Sequence, residues 1–383
     1  MQKRQIALVT GDGAAPEMML QAGRIAIHAA RRDNLQIEFV EAPMGWNAYH
    51  RFNDTTPPES MKIIKDLGTV FFGGVGDPAL DSTLGFQFPK MKPESRALLA
   101  LREEMGLLLN FRPMMLLKEL AHLSPLRAEL IPDGGIKTVF IRCLLQDSYF
   151  GTQNLRPHMP PEIAERLGIK LKAEVTGHEE LVSEFSFYRK ECLEKYFRGA
   201  FSYARKLGMP LISVDKENVM ARYAFWRIIA TRISKEFPDV PCKHVLVDAM
   251  NALLFSPASL QAVIACGNEQ GDILSDGAAA AIGGMGLMQS SAINPETMAA
   301  MFESGAGTAP TLAGKDVANP LGRILTGALM LEHINALNGA FAIRTAVERA
   351  LKDGYRTADI AEPGCAKILG CREMGDRVFH NIL

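Results

Sequence analysis

In the opening part of the chain, short unbroken apolar runs alternate with amphipathic stretches. Ile6–Val9 reads as a buried strand. It enters Gly11-Asp12-Gly13-Ala14-Ala15-Pro16-Glu17, and an amphipathic helix follows to about Arg31. Leu35–Glu41 predicts a second strand, Lys62–Lys65 ends a short helix, and Thr69–Gly74 predicts another buried strand closing on Gly73-Gly74-Val75-Gly76-Asp77-Pro78. Further on, the strands Thr138–Arg142, Pro210–Val214, Val245–Asp248 and Val263–Cys266 fall among helical patterns at Glu191–Leu207, Leu321–Ile334 and Gly339–Lys352. This alternation predicts an α/β fold on a largely parallel sheet. Residues 152–187 break the rhythm. Three prolines (Pro157, Pro160, Pro161) precede short alternating runs, which predicts a protruding strand-rich arm, exchanged between subunits in one reading. There is no internal repeat or low-complexity linker.

Composition narrows the picture. The 383 residues are 48% hydrophobic and 22% charged, an ordinary globular balance, and this length corresponds to roughly two or three domains. A formal net charge of -1 gives no global attraction for nucleic acid or an anionic membrane, so anion binding must come from local convergence of basic groups. Six cysteines without a CxxC pair argue against a zinc knuckle and for free thiols in a reducing cytoplasm. Met1–Gly13 reads as a first strand rather than a secretory segment. No apolar stretch approaches the ~18 residues of a membrane span.

The candidate chemistry centres on Asn268–Gly286, where Asp272 and Asp276 stand four residues apart in an Ala-rich, Gly-punctuated run. On a helix that spacing stacks both carboxylates on one face. Taken alone, such a pair more often simply suits the positive end of a helix; it can also hold a hard divalent cation such as Mg²⁺ or Mn²⁺, and the rest of the chain brings that reading forward. Arg102 lies on an otherwise apolar helix, Arg112 ends a strand-like run fixed by Pro113, and Arg142 closes the strand Thr138–Arg142. Each alone is a surface charge. Together, near the carboxyl ends of strands, they can clamp the carboxylates of one ligand through bidentate pairs. The motif G-x-G-x-x-P at Gly11–Pro16 can cradle a phosphate but lacks the third glycine of the dinucleotide fingerprint.

With these blocks in order, the chain resembles the β-decarboxylating dehydrogenases that act on isocitrate, 3-isopropylmalate, homoisocitrate and tartrate. Its pocket residues are most similar to those of the isopropylmalate enzymes. The resemblance rests on Gly11-Asp12-Gly13 with Pro16-Glu17, the segments around Arg102, Arg112-Pro113 and Arg142, Tyr149-Phe150-Gly151, Ser213-Val214-Asp215-Lys216 with Asn218-Val219, Asn268 with Gly271–Asp276, and Gly307-Thr308-Ala309-Pro310 with Asn319-Pro320. It implies a two-domain, isopropylmalate dehydrogenase-like α/β fold with mixed parallel sheets, a non-Rossmann cofactor site, and a homodimer with shared active sites. The cofactor domain would combine 1–108 and 283–383; the substrate, metal and dimer domain would be 109–282, with its arm at 152–187.

The resemblance also assigns roles. Asp272 and Asp276 would bind Mg²⁺ or Mn²⁺ with Asp248 from the other subunit. Arg102, Arg112 and Arg142 would clamp the substrate. Lys216, also from the partner, would take the hydroxyl proton, with Asp248 or water assisting, and Tyr149 would protonate the enol carbon. Read without the family, Tyr149 is a buried tyrosine and Lys216 a surface lysine. Asn268, Ser290, Glu303, Gly305, Gly307, Thr308, Ala309, Thr311, Leu312 and Asn319 would hold NAD, with NADP as the other possibility. Leu98, Leu99 and Val219, with Asn218 beside them, would form an apolar pocket that favours an alkyl substituent over a carboxylate. This implies metal-dependent oxidative decarboxylation of a 3-substituted malate. The alternatives are an isocitrate-, homoisocitrate-, tartrate- or malate-type enzyme, or a non-catalytic ligand-binding regulator.

The sequence departs from the family at several points. Ala15 stands where glycine is usual, which requires negative φ there. Cys143–Ser148 replaces the usual residues before Tyr149. Ala306 and Thr311 lack the adenine-packing histidine and the ribose-binding aspartate, which predicts a weakened adenosine site. Leu312 matches NAD-using forms. Ser95 replaces an acidic residue, and Arg96 is close enough to read a second anion.

Overall fold

The structure, a computed structural model, describes residues 1–150, 186–256 and 260–382. Its spine is one ten-stranded sheet. The strands are β1 (Gln2–Val9), β2 (Leu35–Glu41), β3 (Thr69–Phe72), β4 (Leu109–Leu116), β5 (Ile136–Cys143), β6 (Leu211–Asp215), β7 (Cys242–Leu246), β8 (Val263–Cys266), β9 (Ser291–Ile293) and β10 (Ala300–Glu303). Their spatial order is β2-β1-β3-β10-β9-β4-β5-β8-β6-β7. The first four are mutually parallel, as are β5, β8, β6 and β7. The pairs β10–β9, β9–β4 and β4–β5 are antiparallel and stitch the two parallel blocks into one sheet. The expected α/β architecture is therefore present, on a single continuous sheet.

The parallel strands read as unbroken apolar runs because helices cover both faces. Residues Val70, Phe71 and Phe72 of β3 are all fully buried. The helix Ala15–Ala30 starts with Pro16 in its first turn and Glu17 near its positive end. It packs with the helices Leu321–His333, Leu337–Lys352 and Cys371–Ile382 against the first block. The helices Lys190–Leu207 and Ala221–Ser234 cover the second, around Trp226, Tyr196 and Phe197. Burying each such side chain contributes about 1.5–3 kcal/mol. The largest apolar cluster reaches from Ile6 and Phe71 to Ile212 and Ile264, so the interior crosses the antiparallel seam. Ala15 begins a helix and is not among the residues with positive φ, which meets the condition set by the loss of glycine there.

Two sequence expectations need correction. The strand expected at Val245–Asp248 is Cys242–Leu246, and Asp248 lies in the first turn of the helix Val247–Leu253, a position that suits an acid at the positive helix end. Arg112 does not end a strand: β4 continues through Pro113 to Leu116. Pro113 is tolerated because β9 stops opposite Phe111, which leaves one side of β4 open to a residue without an N–H. The predicted arm, apart from Ser186 and Phe187 at its base, lies outside the described residues.

Candidate active site

Strand alternation assembles the site. Asn110 and Arg112, two residues apart on β4, share one face of the sheet, and Arg142 of β5 is directly opposite Asn110. The helix Asn268–Ala281 lies against this face and carries Asp272 and Asp276. A Cβ on Gly271 would approach the Arg142 side chain to 3.1 Å, which shows how closely the helix lies. Arg142 donates to Asp272 through Nη1 and to Asn268 Oδ1 through Nε at 2.6 Å. Arg112 reaches Asp272 at 3.0 Å and Asp276 at 3.1 Å, and donates to Ser275 Oγ at 2.6 Å. Arg142 thus stands one residue from the carboxyl end of β5, as expected, whereas Arg112 lies within β4.

Burial, and then the neighbouring Arg112, pull the Arg142 pKa down to about 9. Burial raises the pKa of Asp276 above the usual aspartate value despite the arginines, with Asp272 adding to the rise. The Tyr149 hydroxyl donates to Asp272 Oδ2 at 3.2 Å, and the Arg142 guanidinium lies 5.2 Å from the centre of its ring. Burial, followed by the charge of Asp272, raises the Tyr149 pKa, so this phenol stays protonated and available as an acid.

Arg102 completes the group. It is buried and meets Glu303 at 3.4 Å, and its Nε has no partner among the described residues. A guanidinium so placed is set up for an anionic ligand. Residues Glu94–Leu99 wind as a π-helix running into the helix Ala100–Glu104, which brings Leu98 and Leu99 to the same cavity. π-Helical turns recur at functional sites. The cavity has a volume of about 200 Å³ and includes Arg102, Arg112, Arg142, Tyr149 and Asp272, with Ser290, Glu303, Gly305 and Gly307 on its cofactor side. Arg96 is not free to read a second anion, because it forms a two-point pair with Asp54 at 3.0 and 2.9 Å.

Lys216, Asn218, Val219 and Asp248 do not line this cavity. Lys216 Nζ donates to Asp248 Oδ1 at 2.6 Å, and that bond holds the Asp248 carboxyl below its ordinary pKa. Asn218 and Val219 are exposed. Among the described residues, no single-chain cluster of three or more His, Cys, Asp or Glu could hold a metal ion. The donor set at Asp272 and Asp276 therefore fits a hard divalent cation only as a half-site, needing further oxygen ligands.

The side expected to hold the cofactor is built from turns after adjacent parallel strands. Gly11 and Gly13 have φ of 83° and 59°, and a Cβ on either would strike backbone, at Gly74 O (2.0 Å) and Thr308 O (2.5 Å) respectively. The buried Asp12 carboxylate accepts from the N–H groups of Trp46 (2.9 Å), Asn47 (2.8 Å) and Gly76 (2.8 Å), binding three loops together. Ala14 N donates to Thr308 O at 2.8 Å, and Ala309 is left-handed with φ 43°. These contacts draw the turns into one tight backbone cradle. The adenosine side is barer: Thr311 is exposed, and Leu312 packs with Ala14 and Met18.

Two residues expected at the cofactor have other partners. Asn268 is buried beneath Arg142, its amide donating to the Leu144 and Gln146 carbonyls. Asn319 accepts from Leu321 N at 2.9 Å at the start of the helix Leu321–His333, and donates to Asp359 at 3.0 Å. Asn110, Ser275, Glu94 and Ser304 were not anticipated. The period-two spacing to Arg112 pointed at Asn110, and the three-residue step from Asp272 pointed at Ser275; Glu94 and Ser304 carry no such signal.

Comparison with known proteins follows this geometry. The pattern of the isocitrate/isopropylmalate dehydrogenase family matches residues 5–378. A 3-isopropylmalate dehydrogenase of Chromobacterium violaceum is 36% identical over 98% of this chain and 99% of its own length. One from Moorella thermoacetica is 35% identical over 98% of each chain. Among solved structures, an isocitrate dehydrogenase from Methylococcus capsulatus superposes with a TM-score of 0.80 over 99% of both chains at 24% identity, a likeness of fold.

Proposed function

The chain belongs to the isocitrate/isopropylmalate dehydrogenase family, and from that premise we propose that it oxidatively decarboxylates a 3-substituted malate, isopropylmalate-like, with NAD as the hydride acceptor. The observation that carries this reading is the buried trio Arg102, Arg112 and Arg142 around one cavity, with Leu98 and Leu99 on its wall and Arg102 Nε unpartnered. The arginines fix the two malate carboxylates and the leucines take an apolar substituent, because a third carboxylate against them would lie unpaired.

When bound, the dinucleotide accepts hydride, and a divalent cation at Asp272 and Asp276 supplies Lewis acidity. Lys216 and Asp248 belong, in this proposal, to a second copy of the chain. Lys216 takes the proton from the substrate hydroxyl, and Asp248 both orients Lys216 and adds a carboxylate beside Asp272. The arginines hold the leaving carboxylate in place while Tyr149 Oη delivers its proton to the carbon that loses carbon dioxide. The exposed apolar side chains Val219, Met220, Phe255 and Ile273, close in sequence to Lys216, Asp248 and Asp272, support a homodimer. In this proposal residues 1–108 plus 283–383 form the cofactor-binding domain, and residues 109–282 the substrate, metal and dimerisation domain. Thr311 supplies no cation for a 2′-phosphate, which favours NAD over NADP.

NADH fluorescence with Mn²⁺, over 3-isopropylmalate and other 3-substituted malates, isocitrate, malate and tartrate, tests the reading. Turnover should be greatest with a 3-alkyl malate. Ligand binding without turnover on any of them would instead favour a regulatory protein.

A further inference from the structure

Arg323 is a buried charge that the machinery above does not use. It stands in the first turn of the helix Leu321–His333, is 1% exposed, and forms no ion pair with any described residue. Both circumstances are unfavourable. A cation at the positive end of a helix opposes the dipole, and a guanidinium removed from water without a counter-charge is strongly penalised. Burial lowers its pKa to about 10, so it remains a cation at neutral pH. The nearby acid is Glu303, which is already in contact with Arg102.

The contacts of Arg323 show where its charge is directed. Its Nη2 donates to the carbonyls of Gly73 and Gly307, the latter at 2.7 Å. Nη1 lies 3.5 Å from Met18 Sδ, and Nε has no partner among the described residues. Gly73 and Gly307 sit on the turns after β3 and β10, adjacent parallel strands. A Cβ on Gly74 would lie 3.5 Å from Nη2 and 3.8 Å from both Gly307 O and Thr308 Cγ2. The guanidinium is therefore directly behind the backbone cradle of the cofactor side.

We infer that Arg323 is a positioning residue for the diphosphate of the dinucleotide, tying the Gly73–Gly74 and Gly307–Thr308 turns together and supplying the positive charge that the phosphates meet through them. The inference rests on the dinucleotide reading proposed above. It also explains how a site with Ala306 and Thr311 on the adenosine side retains its cofactor: the anchoring shifts from the base and ribose to the diphosphate.

The test uses the full-length protein and four probes: NADH, NADPH, ADP and adenosine. Affinities are measured by calorimetry for the wild type, Arg323→Met and Arg323→Lys, with thermal melts of each ligand-free protein. Arg323→Met should weaken ADP and NADH at least tenfold and leave adenosine within twofold. Arg323→Lys, which keeps the charge, should recover ADP to within threefold of wild type. Unchanged ADP affinity in Arg323→Met would overturn the inference, as would equal losses for ADP and adenosine. Should Arg323→Met not fold, Arg323→Lys decides alone: ADP as tight as wild type supports the charge role, and a tenfold loss defeats it. A wild type that binds ADP but neither NADH nor NADPH defeats the dehydrogenase reading and the inference with it, whereas wild-type NADH binding with an indifferent Arg323→Met defeats only the inference.

Discussion

The two clusters of reactive side chains in this chain live under opposite conditions. Around Asp272, Arg112, Arg142 and Tyr149 converge on one carboxylate, Asn268 and Ser275 brace the arginines, and the sheet and its covering helix keep most of this from water. Among the described residues the Lys216 and Asp248 side chains hold only each other, with the Asp248 side chain 63% exposed. The difference teaches a division of labour. Groups that orient a ligand are fixed in advance by one chain, where a buried charge network tolerates little displacement. On the proposed function, Lys216, the group that takes the hydroxyl proton, waits at the surface near exposed apolar residues, and a second copy of the chain would complete its site.

The most severe way to break this comparison is to remove one of the two carboxylates proposed to hold the metal. Asp276→Asn leaves the Arg112–Asp272 pair in place but removes one of the two aspartates on that helix. Metal-dependent turnover should fall by about three orders of magnitude, with dimerisation unchanged by analytical ultracentrifugation. Activity near wild type would refute the metal assignment.

Subunit mixing sharpens the comparison next. Lys216→Met and Tyr149→Phe should each be inactive as pure proteins, with kcat down about 10²–10⁴-fold. If Lys216 serves the other copy's Tyr149, denaturing and refolding an equal mixture should restore about a quarter of the wild-type sites, because only heterodimers contain an intact pair. No recovery would put Lys216 and Tyr149 in the same protomer.

Stability should separate the two regions as well. Asp272→Asn leaves two arginines largely buried without their shared counter-charge, a loss of about 2–3 kcal/mol in urea unfolding. Asp248→Asn breaks only an exposed pair and should unfold at nearly the same urea concentration as wild type. Comparable losses would mean that the Lys216–Asp248 pair is already part of a packed interface in the protein as isolated.

How much of this was legible in the sequence follows from how local each signal is. The strands Leu35–Glu41 and Val263–Cys266 and the helix starting near Ala15 stand where their apolar periodicity and proline or glycine punctuation placed them. Asp272 and Asp276 needed only the helical period. Arg112 was misplaced because Pro113 reads as a strand end, whereas β4 borders a partner, β9, that is only three residues long. Asp248 was misplaced because Val245-Leu246-Val247 continues an apolar run past the point where the backbone turns helical. The antiparallel seam β9–β4, the pairing of Arg96 with Asp54 and the burial of Arg323 under two distant glycine turns all join segments far apart in the chain, and no local pattern announces such contacts.

The mildest test concerns pH. Burial and Asp272 hold the Asp276 pKa above its model-compound value of 3.8. Between that value and the raised one, the folded protein binds more protons than the unfolded chain, so stability without metal falls as pH rises through the window. Asp272 and Asp276 can accept a divalent cation only as carboxylates. Mn²⁺ should therefore stabilise the protein progressively more as pH rises through the same window. Its affinity should begin to decline on acidification at a higher pH than for an ordinary exposed aspartate. The Lys216–Asp248 side predicts the opposite: its carboxyl is held low by the lysine, so that pair loses its stabilisation only at more acidic pH, as Asp248 is protonated. Thermal melts from pH 4 to 7, with and without Mn²⁺, read the Asp276 limb, and the Asp248 limb should stay silent over that range because its carboxyl titrates below it. An Mn²⁺-induced shift in Tm that does not vary over that range would show that Asp276 does not titrate against the metal, and would leave the buried and exposed clusters without the electrostatic difference argued for them.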